Sequence, residues 1–364
     1  MKFWTLVNGF PGKSGAKAKA AEDHGWDGIW VPDSQNLTGD PYVELTMAAV
    51  ATERLLVKTG VTNPLTRHPA VTAGSIATVQ VESQGRATLG IGRGDSSLAY
   101  IGLAPVPVPR FIDYCKKVQA YLRLEEVPFG TEFDEGVRSA ESLSLGGRPQ
   151  TSQLRWWRHA DATKPPMEIA ASGPRVIAAA ALVADKINFA VGSAPERIKW
   201  AIDIAEKARA DSGLDLPPIE YSILVGVAVD EDAEKARTLV AESMLAGLVR
   251  FNVMHGKVVG PVTPEIEEEL LRLHAAYDMN RHGRPGRQRD LVSDALINTF
   301  AIAGDPDYCI ARMAEIASLG ITHMDLVSGW GVDDETGVVS QPLLTEVVLP
   351  GVRAAVGEMS AEPS

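Results

Sequence analysis

The chain has 364 residues, with 35 Lys and Arg against 47 Asp and Glu, for a formal net charge of −12. That length can bury a sizeable core, and 45% apolar with 23% charged residues is ordinary globular usage rather than the profile of a disordered chain. The acidic balance argues against non-specific nucleic-acid binding and adhesion to anionic membranes, which need net basic surface, but leaves room for one local basic pocket.

In chain order, short apolar runs alternate with amphipathic stretches. Phe3–Val7 reads as a first strand, and helical spacing then covers Ala16–His24 with Gly25 as its stop. Gly28–Val31 is a second strand and Val43–Thr52 a helix. Leu55–Val61 is a third strand, followed by a helix over Pro69–Gln84 with Pro at its first position. Ala87–Ile91 and a helix across Phe111–Leu122 come next, then Met167–Ala171 and Pro174–Ala184. Ile187–Val191 is a sixth strand. Ser193-Ala194-Pro195-Glu196 after it has the form of a capping box. Tyr221–Val229 is a seventh strand, a helix runs from Asp305-Pro306 to Gly320, Thr322–Val327 is an eighth strand, and Leu343–Val356 closes the series as a helix.

Eight strands alternating with helices predict a parallel sheet, and eight is the number that closes a (β/α)8 TIM barrel. Residues 1–357 are expected to form one such domain, with residues 358–364 as a flexible tail. Two segments break the rhythm, about 125–166 and 233–298, and are expected as insertions over the C-terminal face, lining the pocket through Glu125–Pro166 and the Phe251–Arg289 region. Cys115 and Cys309 form neither a disulfide framework nor a CxxC site. The N-terminus lacks the apolar stretch of a signal peptide, and no run approaches ~18 apolar residues, so the expected location is the cytoplasm.

In a parallel barrel the ligand site lies where the strands end, because the βα loops and helix N-termini converge there. Asp33-Ser34 follow the second strand. Gly60-Val61-Thr62-Asn63 end the third, Gly92-Arg93-Gly94-Asp95 the fourth, and Ser172-Gly173-Pro174-Arg175 the fifth. Val191-Gly192-Ser193 end the sixth, and Ser328-Gly329-Trp330 the eighth. The glycine-rich turn with Arg93 suits close backbone approach to an anion. In Ser172-Gly173-Pro174-Arg175, Pro at the first helical position leaves free N–H groups, and Arg175 adds charge, as at a phosphate site.

Other motifs fail. Gly12-Lys13-Ser14 lacks the first glycine of a P-loop, and no GxSxG elbow is present. The seven histidines form no metal-binding pattern, so no metal is expected. Lys58 and Lys186 do not fall at strand ends, which disfavours a Schiff-base enzyme. Trp156-Trp157 reads as a lid or subunit contact rather than a nucleic-acid platform. What remains is a site rich in backbone donors and poor in acid–base machinery, which suits a cofactor that carries the reactivity.

Gly60-Val61-Thr62-Asn63-Pro64-Leu65-Thr66-Arg67-His68-Pro69, Gly90-Ile91-Gly92-Arg93-Gly94-Asp95-Ser96 and Ala171-Ser172-Gly173-Pro174-Arg175 resemble the luciferase-like monooxygenase superfamily. Within it they are most similar to the branch that uses the deazaflavin coenzyme F420, typified by methylenetetrahydromethanopterin reductase. The resemblance spans roughly Met1 to Val327. It implies a (β/α)8 barrel and hydride transfer between F420 and a small organic substrate. It also implies a non-prolyl cis peptide at Gly60-Val61 backing the ring. The residues it marks as cofactor-binding are Gly60, Val61, Thr62, Asn63, Gly92, Arg93, Gly94, Ser172, Gly173, Pro174, Arg175, Val191, Gly192 and Ser193. Asp33 and Ser34 would orient ring and substrate, and Asp95 would assist proton transfer. Where Ser34 stands some relatives carry a His that serves sugar-phosphate oxidation, so that activity is not expected. An FMN-dependent monooxygenase and a non-catalytic flavin or deazaflavin carrier are the alternatives. A homodimer is expected, with neither nucleic acid nor membrane as partner.

Overall fold

The computed structural model describes residues 1–129, 138–254, 256–282, 288–328 and 341–361. Gly329, Trp330 and tail residues 362–364 lie outside them. The elements alternate as β1 (Lys2–Leu6), α1 (Ser14–Asp23), β2 (Gly28–Val31), α2 (Pro41–Ala51), β3 (Leu56–Thr59), α3 (Pro69–Glu82), β4 (Ala87–Ile91), the short α4 (Ser96–Ala99) and α5 (Val108–Leu122). They continue as β5 (Met167–Ala171), α6 (Pro174–Ala180), β6 (Lys186–Phe189), α7 (Pro195–Ser212) and β7 (Glu220–Val229).

An inserted stretch follows, with α8 (Ala233–Glu242), α9 (Leu245–Val249), the two-residue pair β8 (Val253–Met254) and β9 (Lys257–Val258), α10 (Pro264–Ala276) and α11 (Asp294–Phe300). Then come β10 (Ala301–Gly304), α12 (Pro306–Ser318), β11 (Ile321–Ser328) and, after a π-helical turn over Leu343–Val348, α13 (Leu349–Ala361). The last helix thus continues into the stretch read from sequence as a tail. Among the described residues no helix is long and apolar enough to cross a membrane.

β1 to β7 and β11 close a parallel barrel in which β11 pairs with both β7 and β1. The helices shield its outer face through one apolar layer that includes Phe3, Ile29, Val57, Leu89, Ile169, Ile187, Ile223 and Leu326, all fully buried. Helix starts are fixed locally. Asp40 caps α2 by accepting from the Tyr42 and Val43 N–H groups, and Pro41 supplies a first-turn φ that needs no donor. Inside the barrel, space is tight enough to dictate glycine. A Cβ at Gly90 would run into the Thr59 carbonyl, and one at Gly60 would meet the Trp30 ring.

Three expectations need correction. A ninth strand, β10, pairs with Gly226–Val229 of β7. Gly226 and Val227 also pair with β11, so β10 occupies the edge of β7 that β6 uses lower down. The strand pattern hid it because its four residues, Ala-Ile-Ala-Gly, are too short and too weakly β-forming to stand out.

The capping box at Ser193 does not form. Ala194 occupies the N-cap of α7 without a side-chain bond, and the Ser193 hydroxyl donates instead to the Ala301 carbonyl.

Finally, the described residues of segment 125–166 do not line the mouth. The segment leaves the C-terminus of a helix and enters the start of a strand, which places it at the opposite end of the barrel. Its described residues run along α3 and α5, where the Trp157 indole donates to the Leu122 carbonyl at 3.0 Å and Gln80 donates to the Thr163 carbonyl. Trp157 is therefore a buried packing residue. The second segment leaves β7 at its C-terminal end and does cover the mouth.

Candidate active site

A cavity of about 270 Å³ opens at the C-terminal ends of the strands. Of the residues singled out in the sequence it is lined by Asp33, Ser34, Gly60, Val61, Gly92, Arg93, Gly94, Asp95 and Ser172.

Asp33 is buried and fully engaged. Its Oδ2 accepts from Thr62 Oγ1 at 2.6 Å and from Arg67 Nη1 at 2.5 Å, and its Oδ1 accepts from Gln35 Nε2 at 2.7 Å. A carboxylate held by three donors, one of them a cation, ties the β2 and β3 loops together. Arg67 extends the arrangement to Asp40 at 2.7 Å and lies over the Tyr42 ring, whose hydroxyl burial pushes well above the ordinary tyrosine range. The neighbouring Ser34 hydroxyl has no protein partner among the described residues, which leaves it available to a ligand.

The peptide bond between Gly60 and Val61 is cis, as the resemblance implied. Thr62 and Asn63 lie behind this wall, fully buried. Asn63 Oδ1 accepts from the Leu65 and Thr66 N–H groups and so shapes the turn rather than the cavity. At the end of β4, Gly94 takes a positive φ of 75°. Arg93 is half-buried, its Nε donating to the Val106 carbonyl at 2.6 Å. Burial, and after it the charge of nearby Arg175, lowers the Arg93 guanidinium, with Asp95 opposing. Pro174 and Arg175 sit exposed at the rim, so two like charges stand together where an anion would relieve both. Asp95 is ion-paired with Arg250 of the insertion at 2.7 Å, and Ser96 Oγ accepts from the same nitrogen.

Gly173 caps α6 and faces the Met254 sulfur, while Ser172 Oγ donates to the Phe251 carbonyl at 3.1 Å. Val191, Gly192 and Ser193 after the sixth strand do not line the cavity. Val191 is core, a Cβ on Gly192 would strike Phe300, and the Ser193 N–H and hydroxyl are both taken by carbonyls of Thr299 and Ala301. The α11–β10 junction thus takes both donors of Ser193, whereas the Val191 and Gly192 N–H groups find no acceptor among the described residues.

Two further groups of residues shape the cavity; the first escapes the sequence reading, whereas the second includes residues of the Phe251–Arg289 region expected there. The first fills the barrel below the cavity. Lys58 Nζ lies 2.5 Å from Glu168 Oε1 and 2.8 Å from Asp325 Oδ2, and Asn188 Nδ2 donates to Asp325 Oδ2 and Ser222 Oγ. His323 Nε2 is 2.8 Å from Glu168 Oε2. Burial opposes every charge here. Even so, the two carboxylates hold Lys58 above its usual range, and Lys58 with His323 holds Glu168 well below its own. Asp325 is pushed up, by burial first and then by Glu168, since the two acids share one ammonium. Asn188 and Asp325 form part of the cavity floor.

The second group is the insertion's inner surface, Met244, Leu248, Phe251 and Met254 with His282, which closes the cavity from above. Among the described residues no cluster of His, Cys, Asp or Glu is placed to hold a metal ion.

A family model described as luciferase-like monooxygenase matches residues 13–323. The 5,10-methylenetetrahydromethanopterin reductase of Methanopyrus kandleri is 28% identical over 350 residues, covering 93% of this chain and 95% of the relative. The F420-dependent glucose-6-phosphate dehydrogenase of Beutenbergia cavernae is 27% identical over 321 residues, covering 84% and 83%. Among solved structures, the coenzyme F420 dependent tetrahydromethanopterin reductase from Methanopyrus kandleri superposes with a TM-score of 0.68 at 24% identity, over 96% of this chain and 98% of that one.

Proposed function

The chain belongs to the luciferase-like monooxygenase family, and from that premise we propose that it is an oxidoreductase that transfers a hydride between the deazaflavin coenzyme F420 and a small organic substrate. The observation that carries the reading is the chemistry of the cavity lining. Both carboxylates given catalytic roles in the sequence analysis, Asp33 and Asp95, are paired with arginines, and what is left free is backbone, a serine hydroxyl, one edge of the His282 ring and a pair of rim arginines. Such a lining positions a reactive group and does not supply one. The F420-dependent relatives support the choice of coenzyme.

The donor set fits it. Arg93 and Arg175 match an anionic phosphate and carboxylate tail, and the Gly60-Val61 and Gly92 backbone gives a flat wall for a ring. When bound, the coenzyme supplies the hydride donor or acceptor. Ser34 then presents a hydroxyl to ring or substrate, Asp33 holds Thr62 and Arg67 in place behind it, and the insertion's apolar surface excludes water.

Titration of the purified protein with F420, followed by tryptophan quenching, is expected to show binding in the micromolar range, with FMN binding more weakly. Arg93→Ala and Arg175→Ala are each expected to weaken F420 about tenfold, the scale of one charge-assisted contact. Tighter binding of FMN than of F420 would point to the oxygen-dependent branch and overturn the assignment.

The same proposal includes a homodimer and a cytoplasmic setting. Helix α2 turns Val43, Met47 and Val50 outward at helical spacing, an exposed apolar face that suits a second copy. Both cysteines are buried and unpaired, in keeping with a reducing compartment. Sedimentation equilibrium is expected to give twice the chain mass, and Met47→Glu to give the monomer.

A further inference from the structure

The insertion brings one titratable ring into the cavity that no role above uses. His282 lines the cavity, and its Nδ1 lies 2.6 Å from the Tyr277 hydroxyl. A phenol is a better proton donor and a poorer acceptor than a neutral imidazole, so Tyr277 donates and Nδ1 accepts. The bond at one nitrogen fixes the other, which places the imidazole proton on Nε2. Nε2 has no partner among the described residues.

The surroundings keep the ring neutral. Burial, then the Arg250 guanidinium, pushes His282 down to about 4, with Asp95 opposing. Tyr277 and Tyr100 are the other titratable groups against it, and Arg250 itself is held by Asp95 and Ser96. Around the ring the insertion offers Met244, Gly247, Leu248 and Phe251, an apolar and adaptable surface.

We propose that His282 is a substrate-contacting residue, its Nε2–H donating to the oxygen of an uncharged ketone, or of the matching secondary alcohol, whose apolar body packs on the insertion. The inference rests on the coenzyme assignment above. It selects against phosphorylated or carboxylated substrates, because the insertion's cation at this end of the cavity, Arg250, is already paired and a second anion would lie among methionine and leucine side chains.

Two measurements test it. In the first, the protein is saturated with F420 and titrated with cyclohexanone, with glucose 6-phosphate as the charged comparison, reading the coenzyme fluorescence. Wild type is expected to respond to the ketone and not to the sugar phosphate. His282→Phe should weaken the ketone about tenfold with F420 affinity unchanged, and His282→Gln, which keeps an N–H, should recover most of the loss. A ketone affinity unmoved by His282→Phe, or no ketone response in wild type, overturns the proposal.

The second is nitrogen NMR of histidine-labelled free protein at pH 7, with His282 assigned by its loss in His282→Gln. A neutral ring protonated at Nε2, changing to a tautomer mixture in Tyr277→Phe, is expected. A proton on Nδ1, or an imidazolium, overturns the proposal. If wild type fails to bind F420 the coenzyme assignment falls, and the NMR result separately decides whether His282 presents this donor.

Discussion

Replacing Lys58 with methionine is expected to destabilise the protein by about 3–5 kcal/mol, the usual consequence of stranding a buried charge. The side chain is 1% exposed and neutralises two acids, Glu168 and Asp325, which are themselves almost fully buried. The three sites are not equivalent. Glu168 also faces His323 and Ser222, and its carboxyl is held low, so Glu168→Gln should cost about 3 kcal/mol. Asp325 is pushed up, so its charged form is already disfavoured and Asp325→Asn should cost less than about 1 kcal/mol.

The pH dependence separates them further. A depressed acid contributes stability that is present above its unfolded value, here the ordinary 4.5, and is lost as pH falls toward the folded one. The Glu168→Gln penalty should therefore shrink on acidification through pH 4. A raised acid does the reverse and loses stability as pH rises through its folded value, so the Asp325→Asn penalty should shrink as pH rises. Urea unfolding of the three variants across about pH 3 to 8 checks both signs. Equal penalties for Glu168→Gln and Asp325→Asn would contradict the shared-ammonium arrangement.

This charged layer also shows where the sequence was legible and where it was not. Strand and helix alternation located the barrel strands because each is a short apolar run with a turn signal, and Gly, Ser and Asp at the strand ends marked the mouth. The same strands carry Lys58, Glu168, Asn188, Ser222, His323 and Asp325 at interior positions. Parallel barrel strands are buried on both faces and should be apolar on both. Six polar side chains on inward positions of five strands are thus a signal in their own right, but each taken alone looks like a solvated residue. Lys58 falls mid-strand, which disfavours a Schiff-base role, and mid-strand is where a barrel-filling ion pair belongs.

The expectation for the first insertion fails for a different reason. Irregular spacing shows that a segment is extra, whereas its end of the barrel follows from which element precedes it. Segment 125–166 follows a helix and its described residues lie at the bottom; segment 233–298 follows a strand and its described residues include those over the mouth. The resemblance marks Val191, Gly192 and Ser193 for the cofactor, and β10, invisible to the strand pattern, takes the Ser193 hydroxyl through the Ala301 carbonyl. Arg67, Arg250 and His282 meet their partners only through contacts far apart in sequence, Asp33, Asp95 and the cavity, which no local spacing encodes.

The Arg67–Asp33 pair carries the other large effect, and it links stability to coenzyme binding. Arg67→Ala removes the cation from a carboxylate that is 3% exposed and also cuts the tie to Asp40 at the cap of α2. A loss of about 3 kcal/mol is expected, since the remaining Thr62 and Gln35 donors cannot replace a charge. Asp33→Asn keeps the shape and leaves Arg67 with Asp40, so its cost should be nearer 1–2 kcal/mol. The two substitutions act on one interaction, and the double variant should therefore be more stable than the sum of the singles by about 2 kcal/mol in urea unfolding. Strict additivity would mean that the two side chains contribute independently. Coenzyme affinity should follow the same cycle. Thr62 and the Gly60-Val61 wall are held through Asp33, so Arg67→Ala is expected to weaken F420 about tenfold even though Arg67 does not line the cavity, with the double variant recovering part of the loss. A residue that merely stabilised the fold would lower the unfolding midpoint and leave the affinity of the folded protein where it was.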